Sequence, residues 1–197
     1  MIDKTKLGLH LPTDPRWVNL AEMSLEYILT DHAFCEQKAA TACISLIQQY
    51  PDKKELVKAL MPVVTEEWGH FRMVLREMEK RDMSLGFQRK DEYVNALQKF
   101  RKHGNRDVNL IESLLICALI EARSCERFRL LSLHISEESL KQFYYDLMVS
   151  EAGHYKMFLE LAIHYGGEGM VRKRWQEYLV FEAGVMKELT ADGTRIH

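Results

Sequence analysis

The sequence predicts an all-α protein: a four-helix bundle with a long crossover that contains a short helix, and an appended C-terminal helix. Three observations carry this. Apolar residues recur at three- and four-residue spacing along most of the 197 residues, which is the period of one helix face, and strand-like alternation is missing. All four prolines (Pro12, Pro15, Pro51, Pro62) fall in the first third, so 135 residues follow Pro62 without one. Turn-forming clusters cut the chain into two long segments, a crossover, two more long segments and a final one.

Each element has its own signals. Asp14-Pro15 reads as an N-cap with proline in the first turn, starting a helix that runs to about Gln49. Tyr50-Pro51-Asp52 is the turn. The second helix is expected from about Lys53 to Arg81, with a kink at Pro62, which cannot donate its backbone bond. Ser84-Leu85-Gly86 breaks the pattern, Asp91 to Lys102 forms the crossover helix, and His103-Gly104-Asn105 ends it. The third long helix spans about Asn109 to His134. Ser136-Glu137-Glu138, a cap followed by acids, opens a fourth that lasts to about Tyr165 and stops at Gly166-Gly167. The expected organisation is one domain over 1–197, with the core bundle at about 14–165 and the last helix at about 170–189.

Composition excludes several classes. The chain carries 27 Lys plus Arg against 29 Asp plus Glu, so no global charge holds it to a polyanion. A 28% charged and 47% hydrophobic make-up is that of a folded chain, not a disordered one. The longest stretch free of charged side chains, Ala39 to Pro51, has 13 residues, short of the roughly 20 that span a bilayer. Residues 1–6 lack the apolar core of a signal peptide, so the expectation is a soluble, cytoplasmic protein with no membrane partner. Cys35, Cys43, Cys117 and Cys125 form no C-x-x-C pair and are expected as buried, reduced thiols.

The chemistry is concentrated in two Glu-x-x-His motifs, Glu67-Trp68-Gly69-His70 and Glu151-Ala152-Gly153-His154. Residues three apart share a helix face, so each motif can offer an oxygen and a nitrogen to one ion. Either motif alone is a weak signal. Their register is stronger: Glu36 precedes Glu67 by 31 residues and Glu121 precedes Glu151 by 30, the pattern of a duplicated helical hairpin. At about 1.5 Å per residue, both partners in each hairpin return to the same height across the turn. Glu126, five residues closer to its turn than Glu121, would lie roughly 7 Å out of level. With Arg123 and Arg127 nearby, it is assigned instead either to a charged network or to the residues that support the ligands from behind.

The predicted metal ligands are therefore Glu36, Glu67, His70, Glu121, Glu151 and His154. Catalysis would run through the metal pair they hold. Four carboxylates in an apolar interior are costly alone, and two divalent cations neutralise them. An oxygen-rich set with two imidazoles and no thiolate suits iron or manganese. His32, one turn before Glu36, reads either as lining the site or as an ordinary partly buried histidine. Glu66 reads either as orienting a metal-bound histidine through its outer nitrogen or as solvent-facing.

Asp31 to Ala40, Glu66-Glu67-Trp68-Gly69-His70-Phe71, Ile120 to Phe128 and Ser150 to Tyr155 resemble the tRNA 2-methylthio-N6-isopentenyladenosine hydroxylase family, a group of ferritin-like di-iron carboxylate proteins. The metal motifs are common to ferritin-like enzymes; Glu121-Ala122-Arg123-Ser124-Cys125-Glu126-Arg127 is the more specific stretch. The resemblance covers about Leu9 to Tyr165. It implies a non-haem di-iron monooxygenase with two iron ions and O2 as co-substrate. Its reaction would hydroxylate the isopentenyl side chain of a modified adenosine next to the tRNA anticodon. Nothing in the chain resembles a flavin or nicotinamide motif, so an external electron-donor reductase is implied as well. A ferritin-like iron storage or oxidation protein and a di-iron hydroxylase of a quinone-like lipid are the alternatives; the charged last helix counts against the lipid.

Charge distribution bears on the RNA partner. Between Arg72 and Arg106 there are ten Lys or Arg against five acids, and Arg172-Lys173-Arg174 forms a second cluster. Arg72, Arg76, Arg101, Lys102, Arg172, Lys173 and Arg174 are the candidates to track phosphates of the anticodon stem-loop, with a solvated face as the equal alternative.

Overall fold

The structure, a computed structural model, describes residues 7–189 and 195–196. Among these, seven helices form and no strand: α1 (Trp17–Met23), α2 (Leu25–Gln49), α3 (Lys54–Glu79), α4 (Glu92–Phe100), α5 (Arg106–His134), α6 (Glu138–Gly166) and α7 (Glu168–Glu188). The described chain divides into two compact units, one of residues 19–90 with 195–196, the other of 7–18 with 91–189.

In the first unit, α2 and α3 pack on each other across the short turn in which the Lys53 amide donates to the Tyr50 carbonyl at 3.0 Å. Ile28, Leu29 and Leu46 of α2, and Leu56, Leu60, Val74 and Met78 of α3, are buried at helical spacing. Each such side chain contributes about 1.5–3 kcal/mol by leaving water. Pro62 lies inside α3.

The first predicted helix is divided. Asp14 opens a turn, accepting the Trp17 amide on its carbonyl at 2.9 Å, and α1 begins only at Trp17. At Ser24 (φ −126°, ψ 34°) the amide reaches back three residues to Ala21, at 3.2 Å, instead of four, and α2 starts afresh. Serine competes poorly for a helix interior and favours its ends, which is why the periodicity of the apolar residues hides this break.

In the second unit, α5 and α6 form the main pair, with α4 and α7 packed alongside. Its core includes Leu114, Leu119, Phe128, Tyr144, Leu147 and Phe158. The crossover helix stands where expected, capped by the Asp91 carboxylate on the Val94 amide at 3.0 Å. Asn105, assigned from sequence to the end of α4, is the N-cap of α5, its side chain accepting from the Val108 amide at 3.0 Å; α5 thus begins three residues early. The predicted Ser136 cap is displaced as well. Glu137 occupies the N-cap of α6, its carbonyl accepting from Leu140 and Lys141, and no side chain caps that end. Gly167, with φ +78°, stops α6 in a conformation that disfavours a side chain and leads directly into α7.

Candidate metal centre

Each unit holds one carboxylate helix and one Glu-x-x-His helix. In the first, Glu36 projects from α2 and Glu67 and His70 from α3, all buried. His70 Nδ1 lies 3.5 Å from Glu36 Oε2 and 3.5 Å from Glu67 Oε2. One donor atom from each of the three lies within 4.8 Å of the others. Donors about 2.0–2.2 Å from an ion stand roughly 4 Å apart across it, so this spacing fits a shared metal. His32, fully buried one turn back on α2, places Nε2 2.7 Å from Glu36 Oε1 and fixes that carboxylate from behind.

The second unit repeats the arrangement. Glu121 on α5 and Glu151 and His154 on α6 are buried and offer donors within 4.8 Å of one another. His154 Nδ1 is 3.4 Å from Glu151 Oε2. Glu126 is engaged elsewhere: its oxygens accept from the Thr13 amide at 2.7 Å, the Thr13 hydroxyl at 2.7 Å and Arg123 Nη1 at 2.7 Å. Two carboxylates and one imidazole per set is a hard, oxygen-rich donor group, the chemistry of iron or manganese.

The same unit holds a buried charged network. Arg123 and Glu182 are both fully buried; Arg123 Nε and Nη2 donate to Glu182 Oε1 at 2.9 and 2.5 Å, and Tyr93 donates to the same oxygen at 3.3 Å. Burial pushes the Glu182 carboxyl above its usual range against the pull of Arg123. Arg127 stacks over Trp17 at 4.6 Å. The Cys125 thiol is pushed up to about 12, by burial first and then by the charges of Glu151 and Glu126. None of the four cysteines is in a disulfide, but only Cys43 and Cys125 are buried. Cys35 and Cys117 are half-exposed, a correction to the expectation of four buried thiols, because an apolar segment still turns one flank of its helix outward.

The remaining candidates separate by exposure. Glu66 is exposed, the solvent-facing alternative. Arg72, Arg76, Lys102, Arg172 and Lys173 are also exposed. Arg172 donates to Glu168 at 2.9 and 2.6 Å, and Lys102 to Glu177 at 2.8 Å. Arg101 is half-buried, donating to the Asn109 carbonyl at 2.7 Å. Arg174 must be corrected. It is buried, pairs with both oxygens of Glu112 at 2.7 and 2.8 Å, and stacks on Phe100 and Tyr178 at 4.5 and 4.4 Å. It therefore holds α7 to α5 and offers no surface to a phosphate. Glu112, Glu182 and Tyr93 escaped the sequence reading because their side-chain partners lie 59 to 89 residues away, beyond any local spacing.

Helices bearing buried Glu and Glu-x-x-His sets define the class of ferritin-like carboxylate proteins. The solved structure titled Protein 43 with aldehyde deformylating oxygenase activity, from Synechococcus, matches this chain with a TM-score of 0.90 and 30% identity, covering 96% of this chain and 94% of its own. The family model described as tRNA-(MS[2]IO[6]A)-hydroxylase (MiaE) matches residues 1–197, and the chain belongs to that family. Two relatives are named tRNA 2-(methylsulfanyl)-N(6)-isopentenyladenosine(37) hydroxylase. The one from Pseudomonas putida is 38% identical, covering 88% of this chain and 83% of its own. The one from Salmonella typhimurium is 30% identical, covering 78% and 74%. Among the described residues, no helix is long and apolar enough to cross a membrane.

Proposed function

We propose that this protein hydroxylates the isopentenyl side chain of a modified adenosine next to the anticodon of tRNA. The observation that carries the reading is the pair of buried three-donor sets, Glu36/Glu67/His70 and Glu121/Glu151/His154, in a chain matched over its whole length by the hydroxylase family. Under this reading the six residues belong to one ferritin-like domain and hold two irons. Iron held by these residues would supply the redox chemistry, so that O2 could take up two electrons and two protons, one oxygen atom entering a C–H bond and the other leaving as water.

The protein's own groups prepare that step. The His32 contact holds the Glu36 carboxylate in one orientation, which fixes the direction of its remaining lone pairs. Arg123 and Thr13 keep Glu126 occupied, so it does not compete with Glu121 for an ion. The buried apolar side chains around both sets exclude water, which strengthens charge interactions there. Electrons come from an external reductase, and the exposed Arg72, Arg76, Lys102, Arg172 and Lys173 are available to RNA phosphates. A tRNA substrate places the protein in the cytoplasm. The test is direct: iron-loaded, reduced protein is incubated with isopentenylated tRNA and O2, and the nucleosides are analysed by mass spectrometry. Gain of one oxygen atom is expected. No gain with metal loading verified would overturn the proposal.

A further inference from the structure

Phe87 is 97% exposed, an unusual position for a side chain whose burial would contribute a few kcal/mol. It is not on a loosely held segment. On one side of it, the Gly86 amide donates to Thr30 Oγ1 of α2 at 3.4 Å, and a Cβ at Gly86 would stand 3.3 Å from Thr30 Cγ2, so the loop lies close against the helix. On the other side, Arg89 Nη2 reaches the Tyr27 carbonyl at 3.4 Å and Asp31 at 3.8 Å. The loop is thus pinned to one turn of α2 on both flanks, and the phenyl ring is presented to solvent between the pins.

The surroundings state what such a ring is for. The Arg89 guanidinium lies 5.6 Å from the centre of the Tyr27 ring, and Tyr27 is itself 60% exposed. Two exposed aromatic rings and a planar cation therefore share one short stretch of α2 and its loop. Lys80 and Arg81, earlier in the same loop, pair with Glu77 on α3 and stay with it, so Arg89 and the exposed Lys90 are the cations beside the two rings. The neighbouring Asp31 is neutralised by Arg195 at 2.8 Å as well as by Arg89. Exposed aromatics interleaved with cations are the surface that stacks unpaired bases while drawing in their phosphates. Tyr27 precedes Glu36 by nine residues on α2, about 14 Å along the axis, within the span of a few nucleotides.

We infer that Tyr27, Phe87 and Arg89 form a stacking platform for unpaired bases of the anticodon loop, with Lys90 on an adjoining phosphate. This rests on the hydroxylase reading for the identity of the RNA, and it assigns the part of that RNA this surface takes. The test needs neither metal nor turnover. Binding of a labelled anticodon stem-loop, and of the same stem closed into a plain duplex, is followed by fluorescence anisotropy for the wild type, Phe87→Ala, Phe87→Trp and Lys90→Ala. Circular dichroism confirms that each variant is folded. Phe87→Ala is expected to weaken loop binding roughly 5- to 150-fold while leaving duplex binding unchanged, the range for loss of one base stack. Phe87→Trp is expected to retain binding, and Lys90→Ala to lower the salt slope by about one contact. If the wild type binds the stem-loop and Phe87→Ala binds it equally well, the platform is overturned and the hydroxylase reading stands. Wild-type protein that binds no stem-loop would overturn both. An Ala variant that changes oligomeric state in sedimentation, with RNA affinity intact, would make the patch an interface between copies and also overturn the inference.

Discussion

Replacing Arg174 with methionine separates a structural cation from a surface one. Arg174 donates to Glu112 twice, to Glu177 at 2.8 Å and to the Phe100 carbonyl at 2.9 Å, while its stem lies between two rings. Methionine preserves much of the packing but leaves Glu112 buried without its cation. Removing one partner of a buried pair costs about 3–5 kcal/mol. Two donors to Glu112 survive, the Tyr178 hydroxyl at 2.6 Å and the Lys102 amide at 2.9 Å, which argues for the lower figure. For a chain of this size, about 3 kcal/mol lowers the melting temperature by roughly 6–12 °C. Scanning calorimetry reads this directly, with Lys173→Ala as the exposed control, expected within about 0.5 kcal/mol of wild type.

The pH dependence has a definite sign. Burial pushes the Glu112 carboxyl up, but hydrogen bonds from Arg174, Tyr178 and the Lys102 amide outweigh it, and the folded-state value falls below the usual 4.5. A lowered carboxyl contributes stability above its unfolded value and loses it as pH falls through the folded one. In Arg174→Met the Glu112 carboxyl keeps the burial that pushes it up and loses the largest hydrogen bond that opposed it, so the gap to wild type is expected to narrow as pH falls from neutrality and the variant's carboxyl takes up a proton before the wild type's does. Adding Glu112→Gln to Arg174→Met removes the stranded charge and is expected to recover part of the loss. A single variant melting within 2 °C of wild type, as about 0.5 kcal/mol would give, would refute the reasoning.

Two other outcomes follow from local geometry. Asn105→Ala removes the cap on the Val108 amide and is expected to cost about 1 kcal/mol, a drop of roughly 2–4 °C in the same calorimeter. With its thiol held near 12, Cys125 is expected to resist iodoacetamide at pH 8 in the native protein, while half-exposed Cys35 and Cys117 react first; peptide mapping by mass spectrometry distinguishes them. Early labelling of Cys125 would contradict its placement.

What could be read from the sequence was what repeats at short range. The helical period gave the long segments, and the matched offsets of Glu36–Glu67 and Glu121–Glu151 picked out the donor sets that each unit assembles. The choice of Glu121 over Glu126 followed from rise per residue alone, and the structure engages Glu126 with Thr13 and Arg123. What stayed hidden depends on partners distant in the chain or on a single dihedral. Ser24 interrupts a helix without disturbing its apolar stripe, and Asn105 resembles a stop as much as a start. Arg174 looks like its neighbours Arg172 and Lys173 until Glu112, 62 residues away, is folded against it.

The ligand set is tested most directly by anaerobic titration of metal-free protein with Fe(II), following bound metal per chain. Wild type is expected to take up two irons, Glu36→Ala and Glu121→Ala each fewer than two, and Glu126→Ala still two. A wild type that saturates at one or none, or a Glu121→Ala variant that still binds two, would contradict the proposed set of six ligands.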